Sequence, residues 1–217
     1  MPTVNLTQGT PHVFRTAHLP EAVDDQNIAI TDLLVAATAA PTYFPHKEIK
    51  EQAFADGGLW ASDPSMLAYA EAMRIRTECR RGVCDVKFAP EDIHLLSVGT
   101  GISQYSLTPP GGNAGIMYWV RHAADVMSSA QTQGIHQPLR FMLRDNYVHL
   151  NFKMKTRWPL DGVENIPQLF ELGKKRAAEE FDLLNCHFFG HERAQFEPYE
   201  ASESAPEVHR EFRAADT

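Results

Sequence analysis

Phe54-Ala55-Asp56-Gly57-Gly58-Leu59-Trp60 is the stretch from which the rest of the chain is best understood. Ile49 to Ala55 predicts a short strand, with Asp56 at its C-terminal end and two glycines behind it. Glycine has no Cβ, tolerates positive φ, and lets backbone approach whatever faces the turn. In open α/β sheets, ligands collect at the carboxyl ends of strands. Asp56 therefore has two readings. It is a catalytic or ligand-orienting carboxylate, or it is a turn aspartate whose side chain bonds its own backbone.

Working outward, residues 1–11 carry Pro2, Gly9 and Pro11 and read as an irregular lead-in. His12 to Ala17 alternates apolar and polar residues and predicts a strand, and Pro20 to Asn27 reads as an acidic loop. Thr31 or Asp32 is placed to cap a helix through Leu33 to Ala40, which Pro41 and Pro45 stop. Pro64 suits the start of a long helix, Ser65 to about Arg80, with Met66, Leu67, Ala70, Met73 and Ile75 as its apolar stripe. Asp92 to Val98 is a largely apolar strand, expected to be buried, and Gly99-Thr100-Gly101 turns it sharply. Helices are expected at Gly115 to Ala130 and Gln137 to Leu143, and a strand at Tyr147 to Phe152. A further helix is expected over Ile166 to Asn185, with Leu169, Phe170, Leu172, Ala177, Phe181 and Leu184 inward. From His191 the chain is acidic and rich in Pro, Ser and Ala, so residues 191–217 are expected to be a disordered tail. Strands separated by helices define an α/β layered domain whose irregular order suggests a mixed sheet.

The neighbours of Asp56 tip the balance between its two readings. Ala36-Ala37-Thr38-Ala39-Ala40-Pro41-Thr42-Tyr43-Phe44-Pro45 precedes the turn. Leu59-Trp60-Ala61-Ser62-Asp63-Pro64-Ser65 follows it, then Tyr69-Ala70-Glu71-Ala72, and Leu95-Leu96-Ser97-Val98-Gly99-Thr100-Gly101 comes later. This set, in this order, resembles the patatin-like phospholipase family over residues 12–101. The family pattern runs S-A-A-P-x-x-F-P, D-G-G or D-G-A, A-N-N-P, then S-L-G-T-G. Ser62 and Asp63 stand where the family has its two Asn, in a segment that shapes the turn.

The resemblance implies a three-layer α/β/α domain, represented in residues 1–190 by its C-terminal part. It implies lipid acyl hydrolysis by a Ser–Asp dyad without histidine, on phospholipid or acylglycerol esters. By resemblance, Asp56 is the proton acceptor, and Gly57 and Gly58 shape its turn. Serine needs a base within hydrogen-bond reach to become a nucleophile. Preorganised backbone N–H donors, each worth about 3–4 kcal/mol, stabilise the oxyanion.

The chain departs from that pattern in one respect. It contains no G-x-S-x-G elbow and no G-G-G-x-R-G oxyanion loop, both of which lie upstream of the turn in the family. Only 55 residues precede Asp56. The expectation is therefore an N-terminally incomplete domain, whose nucleophile comes from an upstream segment or a second chain. The alternative is a non-catalytic relative that binds lipid or a partner. Ser62 and Ser65 follow the turn without an elbow and Ser97 lies in an apolar strand, so all three read as cap or core serines.

Bulk properties narrow the partners. A net charge of −8 argues against nucleic acid and against simple adhesion to anionic membranes, while leaving transient membrane contact through an apolar lip open. The N-terminus lacks the basic and apolar runs of a signal peptide, and no run reaches a membrane span, so a cytoplasmic location is expected. Cys79, Cys84 and Cys186 form no disulfide framework and read as reduced thiols. Neither Cys79-x4-Cys84 nor His187-x3-His191 makes a convincing metal set, and His94 reads as a core histidine. Gly111-Gly112-Asn113-Ala114-Gly115 lacks the Lys-Ser/Thr of a phosphate loop and reads as a mobile loop. No metal and no cofactor is expected. Ile116, Met117, Tyr118 and Trp119 are read as core first and acyl-chain contacts second.

Overall fold

The computed structural model describes residues 1–16, 20–82, 87–103, 108, 115–154, 158 and 161–190. The expected tail, the Gly111–Ala114 stretch, Cys84 and His191 lie outside the described residues. The described chain is mixed α/β, with antiparallel and parallel pairing segregated into separate sheets rather than combined in one.

The first unit is a four-stranded antiparallel sheet of β1 (Pro2–Asn5), β2 (Thr10–Val13), β3 (Lys47–Ile49) and β4 (Gln52–Asp56), in the order β2-β1-β4-β3. The lead-in expected to be irregular is thus half a hairpin. Its apolar/polar pattern is short, but Asn5, 2% exposed, bonds Gln52 Oε1 through its side chain at 2.7 Å and ties β1 to β4. The Ile49–Ala55 strand divides into a second hairpin. Lys50 and Glu51 turn it with φ of 48° and 63°, the left-handed pair that matches strand twist in a two-residue loop. α1 (Ile30–Ala37) covers this sheet, and Phe14, Leu33, Ala36, Ile49 and Phe54 form its core. Thr31 and Asp32 lie inside α1 and the cap residue is Ala29, with no side-chain cap bond. Asp32 instead pairs with Lys47 of β3 at 2.6 Å.

The second unit pairs β5 (Leu95–Val98) with β7 (Tyr147–Leu150), and β6 (Ile102–Ser103) with β8 (Lys153–Met154), both in parallel. α2 (Ser65–Arg80) matches its expected span. The two helices expected between 115 and 143 are one, α3 (Ile116–Leu143), with Pro138 inside it. Proline lacks an N–H, so the helix continues at the cost of one bond to the Gly134 carbonyl. Ile93, Leu139, Leu143 and Tyr147 form the second core, packed by Met66, Tyr69, Met73 and Ile135. Arg15 joins the units through Glu71 of α2 at 3.0 Å.

Several burial expectations are corrected. Val98 is 70% exposed because β5 has a sheet neighbour on one side only among the described residues. The C-terminal helix is split into α4 (Ile166–Glu179) and α5 (Phe181–Leu184). Leu184 is buried, whereas Phe170 and Phe181 are exposed, as are Ile116, Met117 and Trp119 at the start of α3. Cys79 is disulfide-bonded rather than a free thiol, and Cys186 is free.

Candidate functional site

The D-G-G turn is built by β4 and closed by a single 3-10 turn, Gly57–Leu59. Asp56 pairs with Thr3 across β1 and donates its backbone N–H to Ala39 O at 3.1 Å, so the Ala-rich segment holds the turn from behind. Its Oδ1 accepts the Gly58 N–H at 2.6 Å. Among the described residues Oδ2 is left without a hydrogen bond. The turn therefore uses one carboxylate oxygen. Gly57 has no alternative here, since a Cβ would stand 2.2 Å from Pro2 O. Trp60 completes the clamp by donating its indole N–H to Thr3 O at 2.9 Å.

A second constellation lies where α2, α3, β5 and β7 meet. Asp63, 7% exposed, accepts the Ser65 N–H at 2.8 Å and the Ser65 hydroxyl on the same oxygen, Oδ1. Ser97 Oγ donates to Asp63 Oδ2 at 3.5 Å and lies 3.1 Å from His149 Nδ1. His136 Nε2 is 3.8 Å from Asp63 Oδ2, and its Nδ1 is 2.7 Å from the Tyr147 hydroxyl. The His136 and His149 rings are 3.9 Å apart between centroids. Burial lowers the His149 pKa from its ordinary value, helped by the His136 charge and opposed by Asp63. Burial raises the Tyr147 pKa, and the Asp63 charge adds to it.

This cluster borders a cleft of about 1150 Å³ lined by Asp63, Ser65, Ser97, Gly99, Gln133 and His149, among others. Asn151 shapes its rim, with Oδ1 accepting the Gly101 N–H at 3.0 Å while Gly101 holds φ at 107°. Asp56 does not line that cleft. The expected site residue and this cleft are thus separate places.

Ser62 and Ser65 make local turn bonds rather than helix caps. Ser62 Oγ donates to Gly58 O at 2.8 Å, and Ser65 begins α2 against Asp63. Ser97 is not a core serine, since it is half-buried and turned to Asp63 and His149. His94 is exposed, with His187 and Phe188 rings about it. Sequence alone does not join His136 to His149, because they sit 13 positions apart on different elements with no spacing motif between them. The visible signal is Asp63 itself, an acid where the resembled pattern has an amide.

The fold and its two carboxylate-bearing turns define a mixed α/β protein equipped for polar chemistry at strand and helix ends. Comparison with known proteins adds a specific direction. The chain is 33% identical over 199 residues to a cGAMP-activated phospholipase of Vibrio cholerae serotype O1, covering 83% of this chain and 55% of that protein. It is 30% identical over 189 residues to a cGAMP-activated phospholipase of Escherichia coli strain TW11681, covering 86% of this chain and 49% of that one. A Pseudomonas aeruginosa protein of the same name is 28% identical over 159 residues, covering 70% of this chain and 44% of its own length. The chain spans about half the length of the curated relatives it matches. No family model matches it. No helix among the described residues is long and apolar enough to cross a membrane.

Proposed function

We propose that residues 1–190 are the aspartate-bearing part of a patatin-like phospholipase domain, with motif core 12–101, and that Asp56 is the proton acceptor for a serine outside these 217 residues. The observation that carries this is the form of the turn. Asp56 ends a strand, spends Oδ1 on Gly58 and keeps Oδ2 open. The similarity to three proteins named cGAMP-activated phospholipases supports a phospholipid substrate, and cGAMP is the proposed activator.

In the proposed mechanism Asp56 Oδ2 accepts the serine proton as Oγ attacks the ester carbonyl. The proton then passes to the departing alcohol, and water repeats the sequence to release the fatty acid. A positioned general base contributes roughly 10²–10⁴-fold. The serine belongs to an upstream segment or to a partner chain, because no G-x-S-x-G stretch occurs among these residues. The cytoplasm is the proposed location, and contact with membrane is brief.

The test is hydrolysis of a fluorogenic phospholipid in mixed vesicles, with and without cGAMP. The 217-residue chain alone is compared with the gene product carrying the in-frame sequence upstream of Met1. The expected result is turnover only in the longer form. Turnover by the short chain that survives Asp56→Ala would expose a different nucleophile and base.

A further inference from the structure

We propose that Asp63, His136 and His149 form a binding site for a divalent transition-metal ion of the zinc class, opening on the cleft between α2, α3 and the β5–β7 pair. Such a site is independent of phospholipid hydrolysis and uses none of the residues of the D-G-G turn.

The three residues come from three elements that the second core holds together. Asp63 precedes α2, His136 is on α3 and His149 is on β7. One ligand-capable atom from each lies within 4.8 Å of the others. Two histidines and one carboxylate are a sufficient protein donor set for zinc when a fourth position stays open to water or substrate. Asp63 and His149 both line the cleft, which gives water or a ligand a route to the cluster.

The hydrogen bonds around the cluster orient the donors. His136 Nδ1 meets the Tyr147 hydroxyl and His149 Nδ1 meets the Ser97 hydroxyl, so the second nitrogen of each ring is the one available to ligate. This is the arrangement metal-bound histidines ordinarily have, in which the far nitrogen is fixed by an outer partner. Asp63 divides its oxygens in the same way. Oδ1 takes the Ser65 N–H and hydroxyl, while Oδ2 keeps one long bond to Ser97 and faces His136. His136 Nε2 is buried and makes no hydrogen bond. A buried polar nitrogen without a partner carries an uncompensated desolvation cost, which ligation removes. Zinc–nitrogen bonds are about 2.0–2.1 Å, so two ligands of one ion lie at most about 4.2 Å apart. The 3.8 Å between His136 Nε2 and Asp63 Oδ2 lies within that limit, and all three donor atoms lie within 4.8 Å of one another.

The bland counterpart is a buried polar network that packs α3 against the start of α2 and binds nothing. Metal titration separates the two. The metal-stripped full chain is titrated with Zn²⁺ by calorimetry and with Co²⁺ by visible absorption, which reports tetrahedral coordination. The expected result is one equivalent bound, roughly 100-fold weaker in His136→Gln and His149→Gln, and about 10-fold weaker in the outer variant Tyr147→Phe. Matching circular dichroism in chelator shows that the variants fold. If His136→Gln does not fold, X-ray absorption of the zinc-loaded wild-type chain decides instead, with two imidazoles and one carboxylate expected. No binding at micromolar zinc, or binding unchanged in both histidine variants, would overturn the proposal. So would a wild-type spectrum lacking the two imidazoles.

Discussion

Replacing the two glycines of the turn one at a time separates the placing of Asp56 from its freedom to act. In Gly57→Ala the new Cβ stands 2.2 Å from Pro2 O and 2.5 Å from Pro2 C. These are backbone atoms of β1, so relief requires β1 to move by about 1 Å, and overpacking of this kind costs about 1–3 kcal/mol. The same shift strains the Trp60–Thr3 bond, worth about 1 kcal/mol. A loss of about 3 kcal/mol corresponds to roughly 6–12 °C in Tm for a chain of this size. In Gly58→Ala the Cβ meets only Asp56 Oδ1, at 3.1 Å, and Cγ, at 3.7 Å, of a carboxylate that can rotate away. Its Tm should fall by no more than about 2–4 °C, corresponding to about 1 kcal/mol. Activity in the longer form should nevertheless drop with Gly58→Ala, because the rotating carboxylate is the proposed base. Thermal unfolding followed by circular dichroism measures the first effect, and vesicle hydrolysis the second. A Gly57→Ala protein whose Tm matches that of wild type would refute the packing argument.

Other outcomes follow from the same structure. The His12 pKa is lowered, first by burial and then by Arg15, against the pull of Asp25. A histidine lowered in the folded state stabilises above its ordinary pKa near 6.5. That contribution is lost as pH falls below about 6.5, when the unfolded chain binds the proton first. Tm measured from about pH 7.5 down to about pH 5 should therefore fall more steeply for wild type than for His12→Gln, and parallel slopes would contradict this. Gly134 lies inside α3 with nothing within 4 Å of the place an added methyl would take, so Gly134→Ala should stabilise by about 0.5–1 kcal/mol in urea unfolding. A lower midpoint would show that the glycine is needed beside Pro138. Asp63→Asn keeps the shape but removes the charge that accepts the first N–H of α2 and faces His136, and should lower Tm by several degrees.

Much of the α/β character was legible because it rests on local signals. Pro64 and the stripe from Met66 to Ile75 mark α2, and the Asp-Gly-Gly turn marks the end of β4. What escaped depended on partners distant in sequence. β1 is a strand because β2 and β4 flank it, not because Thr3-Val4-Asn5 is strongly patterned. α3 runs unbroken through Gly134 and Pro138 because Leu139 and Leu143 are buried beyond them. The apolar residues of α4 look inward by period, yet Phe170 and Leu172 are exposed, since periodicity marks a stripe without saying what covers it. The turn at Asp56 is visible in its motif. The Asp63–His136–His149 cluster is not, because only the parallel pairing of β5 with β7 and the crossing of α3 assemble it.

The role of Asp56 is tested most directly by Asp56→Asn in the gene product that includes the sequence upstream of Met1, assayed for cGAMP-dependent release of fatty acid from phospholipid vesicles. The substitution preserves size and the Gly58 hydrogen bond while removing the proton acceptor. The predicted result is a fall in kcat of roughly 10²–10⁴-fold with Tm nearly unchanged. Activity within a few-fold of wild type would show that Asp56 only closes its turn.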